Sequence, residues 1–289
     1  MESFQVIGER LRAQRLFMAL SADEVAQRIG VSRALLHRYE AGQIVKLDTL
    51  ERLAKVYGMS PSTLLGLGSE YITDGLRFFD RITTLEEKAE RITVVFGPLI
   101  YVLCSDRYDQ LLHRALQHKE AIDPLTATEA QRVMDVLTRR KAVFRARRPA
   151  MVNILPLESI ERYLEQGLAV TSDVTPADRA RLREEAIREI LHTIDRIVDP
   201  PMHVQIALTT RPLPTAGYQI IHTEGRRFLV NSPFRLGQPL NLRYGVATIT
   251  EDAEALEKHD ALTAQLWDTA IKGADAVKSL RELVEKHRR

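Results

Sequence analysis

Arg33, Ala34, His37 and Arg38 are spaced so that a helix over these residues carries all four on one face. The chemistry open to that face is recognition rather than covalent change. An arginine can hold O6 and N7 of a guanine through two parallel hydrogen bonds, and an alanine methyl can touch the methyl of a thymine. Gln43 and Lys46, a few residues further on, carry donors suited to phosphate oxygens. A solvated helix face without a ligand is the competing reading of the same charges.

The elements that must position these groups are written around them. Leu20 to Glu40 reads as two short helices joined by a tight turn at Gly30-Val31-Ser32. Ser21-Ala22-Asp23-Glu24 has the spacing of a capping box. Gly30 ends the first helix, where a positive φ is needed, and Ser32 caps the second. Val25, Ala26, Ile29, Val31, Leu35 and Leu36 give one apolar seam across both. A helix over Ile7 to Phe17 precedes the pair, and helices over Asp48 to Tyr57 and Pro61 to Leu67 follow. This is the pattern of a helix-turn-helix whose second helix enters the major groove of DNA. An ordinary helical hairpin would share the caps and the seam.

The run from Ile7 to Leu67 contains GERLRAQR, LSADEVAQRIGVSRALLHRYEAG and LDTLERLAKVYGMSPSTLLGL. It resembles the repressor domains of the Cro/C1-type, or xenobiotic-response-element, family. The resemblance implies a buried Arg–Glu pair tying the first helix to the end of the recognition helix, here Arg15 and Glu40. It also implies that bases are read from the first turn of that helix and one turn on. Those positions are Arg33, Ala34, His37 and Arg38, with Ser32 at the start of the turn. Arg33 and Arg38 are the expected readers, and His37 reaches a base or a phosphate. The implied partner is a double-stranded DNA operator bound as a homodimer over paired half-sites. One position departs from the pattern: Ala22 stands where the family often places a glutamine that contacts phosphate.

At 289 residues the chain is too long for this module alone. Its net charge of +2 excludes a histone-like coater of DNA. Residues 1–67 hold nine basic and seven acidic side chains, again a weak bias. The most apolar run, Ile92 to Cys104, is shorter than the roughly 20 residues that cross a membrane and contains Gly97 and Pro98. The start of the chain does not read as a signal peptide, and the single cysteine excludes an internal disulfide. A cytoplasmic protein with no membrane partner is expected, with Cys104 a buried structural thiol.

Beyond Gly68-Ser69 the periodicity mixes. Helices are expected within Glu70 to Ile92, over Tyr101 to His118, from Thr126 or Thr128 to Arg145, after Pro156 and from Thr175 to Pro200. Strands are expected at Thr93 to Phe96, Ala150 to Pro156, His203 to Thr209, a hairpin around Glu224-Gly225, and Leu240 to Ile249. Two helices broken near Gly273 close the chain. The expected fold is an all-α N-terminal five-helix repressor-type domain (1–67), a hinge (68–70), and a larger mixed α/β C-terminal domain (71–289). The larger domain is also similar, over Gln131 to Arg148, Arg188 to Leu208 and Ala270 to Leu280, to the uncharacterised effector domain of actinobacterial regulators of this type.

The basic helix end at Arg139 to Arg148 complements a helix dipole. A second reading gives Arg140, Arg145, Arg147 and Arg148 an anionic effector. His-Glu-x-x-His, a Gly-rich phosphate loop and Gly-x-Ser-x-Gly are absent. No enzyme, metal or cofactor is therefore expected. The reading reached is a transcription regulator, a repressor whose larger domain senses a small-molecule effector. The alternatives are an antitoxin-like protein whose second domain grips a protein, and an enzyme tethered to DNA.

Overall fold

The computed structural model describes residues 4–43, 46–59, 61–65, 69–117, 125–168, 175–214, 217–236 and 239–288. The chain divides into two compact units, Met1–Tyr71 and Ile72–Arg289. Leu67 and Gly68, where the first domain and the hinge were expected to meet, lie outside the described residues.

The smaller unit is helical: α1 (Phe4–Phe17), α2 (Ala22–Ile29), α3 (Arg33–Glu40), α4 (Leu47–Tyr57) and α5 (Pro61–Leu65). Its core gathers Leu11, Val25, Ile29, Leu36, Leu53 and Tyr57, all with 0% exposure. Ser21 and Glu24 close the capping box at the start of α2. Gly30 ends α2 with a φ of +70°, and its N–H satisfies carbonyls of Ala26 and Gln27. Ser32 Oγ then accepts from Leu35 N at 3.2 Å, so α3 starts at the next residue, Arg33. The turn is tight because both helix ends are satisfied within it.

Gly8 fixes how closely α1 approaches the end of α3. A Cβ there would lie 2.5 Å from Gly42 N and 2.7 Å from Glu40 O, both backbone atoms. Gly8→Ala is therefore expected to lower stability by about 1–3 kcal/mol through overpacking. Urea unfolding followed by circular dichroism checks this, with Gly225→Ala unsuitable as a control because its φ is +70°.

The larger unit is built on a sheet. In chain order come β1 (Glu70–Ile72, at the boundary), α6 (Gly75–Glu86), β2 (Ala89–Val95), a 3-10 turn (Tyr101–Leu103), α7 (Asp106–Leu116) and α8 (Ala127–Arg147). Then follow β3 (Ala150–Pro156), α9 (Leu157–Gln166), α10 (Pro176–Val198), β4 (Val204–Thr209), β5 (Tyr218–Thr223) and β6 (Arg226–Asn231). The last elements are α11 (Pro239–Arg243), β7 (Ala247–Thr250), α12 (Ala253–Asp268), β8 (Ile271–Lys272) and α13 (Gly273–Arg288). The strand order is β1-β7-β6-β5-β2-β3-β4-β8. β2, β3 and β4 run parallel, while β5, β6, β7 and β8 pair antiparallel with their neighbours, so the sheet is mixed.

Strand alternation divides the core. Val94 and Leu155 join the large cluster formed with α6 to α10 and α13, while Val95 and Ile154 join a smaller one with Leu256 and Leu266 of α12. The expected fold class, helical unit first and larger α/β unit second, is what the chain forms.

Three expected elements differ. The polar stretch Glu70 to Ile92 is not helical throughout: β1 opens it and β2 begins at Ala89, because Arg91 and Ile92 take up parallel pairing with Ala150 and Met151. Leu240 to Ile249 is not one strand: α11 and a turn at Gly245, packed against Pro233, leave only Ala247–Thr250 for β7. Ile271, expected on a helix, pairs with Leu208 in β8 before Gly273 restarts the helix.

Candidate nucleic-acid interface

The face of α3 opposite the seam is open. Leu36, Tyr39 and Glu40 are buried, whereas Ser32, Arg33, Ala34, His37 and Arg38 are exposed. The four side chains singled out by spacing therefore form one continuous surface at the start and middle of α3. Ala22 is buried at the opening of α2 and offers no polar atom at its position.

Arg33 is held lightly. Its Nη1 donates to Asp23 Oδ2 at 3.2 Å and its Nε to His37 Nε2 at 3.4 Å, with about two thirds of the Arg33 and Asp23 side chains exposed (62% and 66%). An exposed pair of this kind is worth about 0–1 kcal/mol, so the guanidinium can exchange it for a stronger acceptor at little cost. Arg38 is better ordered: its Nε donates to Gln43 Oε1 at 2.7 Å. Gln43, expected only as a phosphate contact, thus also aims Arg38, and its amide nitrogen is left to donate elsewhere. Nothing in the spacing of the sequence pointed to that link across the end of the helix. Lys46 is exposed and precedes α4 as its N-cap residue.

Beneath this surface lies the Arg15–Glu40 pair. Arg15 Nε donates to Glu40 Oε1 at 2.6 Å and Nη2 to Oε2 at 2.9 Å, a two-pronged contact with both residues buried. Arg15 Nη1 also donates to Leu20 O at 3.2 Å. One guanidinium therefore joins α1, the entry to α2 and the end of α3. The hydrogen bonds that Arg15 donates to Glu40 raise its pKa above the ordinary value, against the opposing effect of burial. His37 Nδ1 lies 3.7 Å from the same carboxylate, which couples the exposed face to the brace.

The arginines at the basic end of α8 differ in burial and in partners. Arg140 is buried and committed to Glu86 of α6, with Nε 2.8 Å from Oε2 and Nη2 2.7 Å from Oε1. That guanidinium is already paired with a carboxylate. Arg145 reaches Asp106 at 3.4 Å, and Arg148 Nε donates to the carbonyl of Arg145. Arg147 is exposed. Arg139, by contrast, bridges Asp80 and Glu87 at the surface. Of the four arginines, Arg140 is buried, whereas Arg145, Arg147 and Arg148 are exposed.

Other titratable groups of the larger unit are tied into packing. Cys104 is buried, and burial pushes its thiol pKa well above the ordinary range. Lys141 donates to Cys104 O, Ser105 O and Asp109 Oδ2. Glu161, Glu165 and His287 bring three potential metal-ligand atoms within 4.8 Å of one another. The Lys286 ammonium already bonds Glu161, and His287 Nδ1 faces the carbonyl of Leu283. No helix among the described residues is long and apolar enough to cross a membrane.

Residues 6–65 match a family model described as a helix-turn-helix domain. The smaller unit is thus a helix-turn-helix module with α2 and α3 as its two central helices. No curated protein matches the chain in sequence. Among solved structures, the chain is similar to TrmBL2, described as an archaeal chromatin protein with a novel mode of DNA binding. The identity is 8% and the TM-score 0.32, covering 70% of this chain and 53% of that one. The chain spans about half the length of that structure, and a likeness of this degree defines neither fold nor function.

Proposed function

We propose that the protein is a transcription regulator of the Cro/C1 type that binds specific DNA through α3. The observation that carries this reading is the exposed face of Arg33, Ala34, His37 and Arg38, borne by a helix-turn-helix whose recognition helix is locked by a buried Arg15–Glu40 pair. A helix presenting its first turn in this way fits the major groove, with Arg33 and Arg38 on base edges and Gln43 and Lys46 on phosphates. The module is small, and two copies are needed for a site longer than a few base pairs. The protein therefore acts as a homodimer on paired half-sites and represses transcription there. The larger unit supplies dimer contacts and senses an effector by binding it better in one arrangement of the pair than in the other. Its task is binding, without a catalytic step.

Selection of bound sequences from a random DNA pool by the full-length protein tests this. The expected product is a short sequence present twice in inverted orientation, with centres about 34 Å or a whole number of turns apart. Failure to enrich any sequence over a control with Arg33 and Arg38 both replaced by alanine would overturn the reading.

A further inference from the structure

The larger unit contains an open cavity of about 1200 Å³. Its floor is one face of the sheet, where Val94, Gln219 and Val230 lie side by side in register across β2, β5 and β6. Gln219 is out of place there if the face served packing alone. Its Oε1 is buried without a hydrogen-bond partner, between two valines. A buried acceptor left unpaired costs stability, and a ligand with a donor would satisfy it.

The walls are aromatic and cationic. Among the described residues, eight aromatic side chains line the cavity, together with four arginines and a single carboxylate, Glu158. Arg140 is neutralised by Glu86, and Arg162 bonds Glu158 at 2.5 Å. Arg235 is different. Its Nη1 donates to the carbonyl of Ser232 at 3.1 Å and its guanidinium carbon lies over the Phe96 ring, 4.2 Å from the centre. Among the described residues no carboxylate faces it. Burial alone acts on it, and its pKa is lowered as expected of a cation without a counter-ion. A half-buried arginine of this kind, held over a ring beside an apolar floor, is arranged to receive an anion.

We propose that this cavity binds an amphiphilic organic anion, its acidic head on Arg235 and its largely apolar ring or chain over Phe96, Val94 and Val230, with a donor on that body meeting Gln219 Oε1. The proposal rests on the sensing role given to the larger unit and names the class of molecule that role requires. Arg211, exposed at the rim, adds a second positive charge to the entrance.

The test uses full-length protein without DNA and two fluorescent probes of nearly the same body. One, 8-anilinonaphthalene-1-sulfonate, is an anion; the other, N-phenyl-1-naphthylamine, is neutral. The anion is expected to saturate at one site per chain. Arg235→Gln should weaken it by about tenfold and leave the neutral probe within about twofold. If Arg235→Gln titrates the anionic probe as the unchanged protein does, or if the anion fails to saturate at one site, the proposal is overturned. Should circular dichroism show that Arg235→Gln does not fold, the unchanged protein decides. Competition by 2-naphthoate at least about tenfold better than by the neutral 2-naphthalenemethanol supports the head-group contact, and equal competition removes it. None of these readouts involves DNA, so their failure leaves the DNA-binding reading standing, and the converse holds too.

Discussion

Glu40→Ala is expected to cost the smaller unit about 3–5 kcal/mol, because it leaves the Arg15 guanidinium buried beside no counter-charge. A unit of this size has only a modest core, and folded domains hold about 5–15 kcal/mol in total. The substitution should therefore bring it close to unfolding at room temperature. Three contacts depend on the pair: both prongs to Glu40 and the Arg15 bond to Leu20 O that fixes the entry to α2. Hydrogen exchange resolved to α1, α2 and α3 should show lost protection across all three helices. The double substitution Arg15→Met with Glu40→Leu should recover much of the loss, since an apolar pair of similar volume has no charge to strand. A loss below about 1 kcal/mol for Glu40→Ala would mean that the pair is solvated and does not brace α3.

The larger unit has its own buried pair, and Glu86→Ala is expected to have a comparable effect there, about 3–5 kcal/mol. Arg140 Nε and Nη2 together make three contacts of 3.1 Å or less with the Glu86 carboxylate. Burial lowers the arginine's affinity for its proton, and the charge and hydrogen bonds of Glu86 more than reverse that. The pair locks α6 to α8 on one face of the sheet. Trp267, the chain's one tryptophan, lies on α12 of the same unit and gives a fluorescence signal for its unfolding in urea. Glu87→Ala, one residue on, removes an exposed contact to Arg139 and should cost less than about 1 kcal/mol. Equal effects from the two substitutions would contradict the assigned burial.

Much of the smaller unit was legible because its signals are local. The capping box at Ser21, the glycine at position 30 and the cap at Ser32 each act within four residues of themselves. The open face of α3 follows from helical spacing once the seam is placed. The link from Gln43 to Arg38 was not legible, because it depends on how the chain turns after Ala41. The larger unit was harder for a related reason. Its parallel strands are set by partners more than fifty residues away, so Ala89 to Ile92 carries a helical spacing yet pairs with Ile221 to Thr223 of β5 and with Ala150 and Met151 of β3. The arginines of α8 looked alike in the sequence. What separates Arg140 from Arg145 is the position of Glu86 on another helix. Arg235 and Gln219 gave no signal, since a cation without a facing carboxylate and an acceptor without a donor are defined by what does not surround them.

The most direct test of the central claim is binding of the wild type, Arg33→Ala and Arg38→Ala to the selected DNA site and to every single-base change of it, at one salt concentration. Each variant is expected to lose about 1–3 kcal/mol on the selected site and to lose its preference at a distinct base pair, while discrimination elsewhere is kept. A uniform weakening across all sequences would place these arginines on phosphates alone, and unchanged binding would show that α3 does not read DNA.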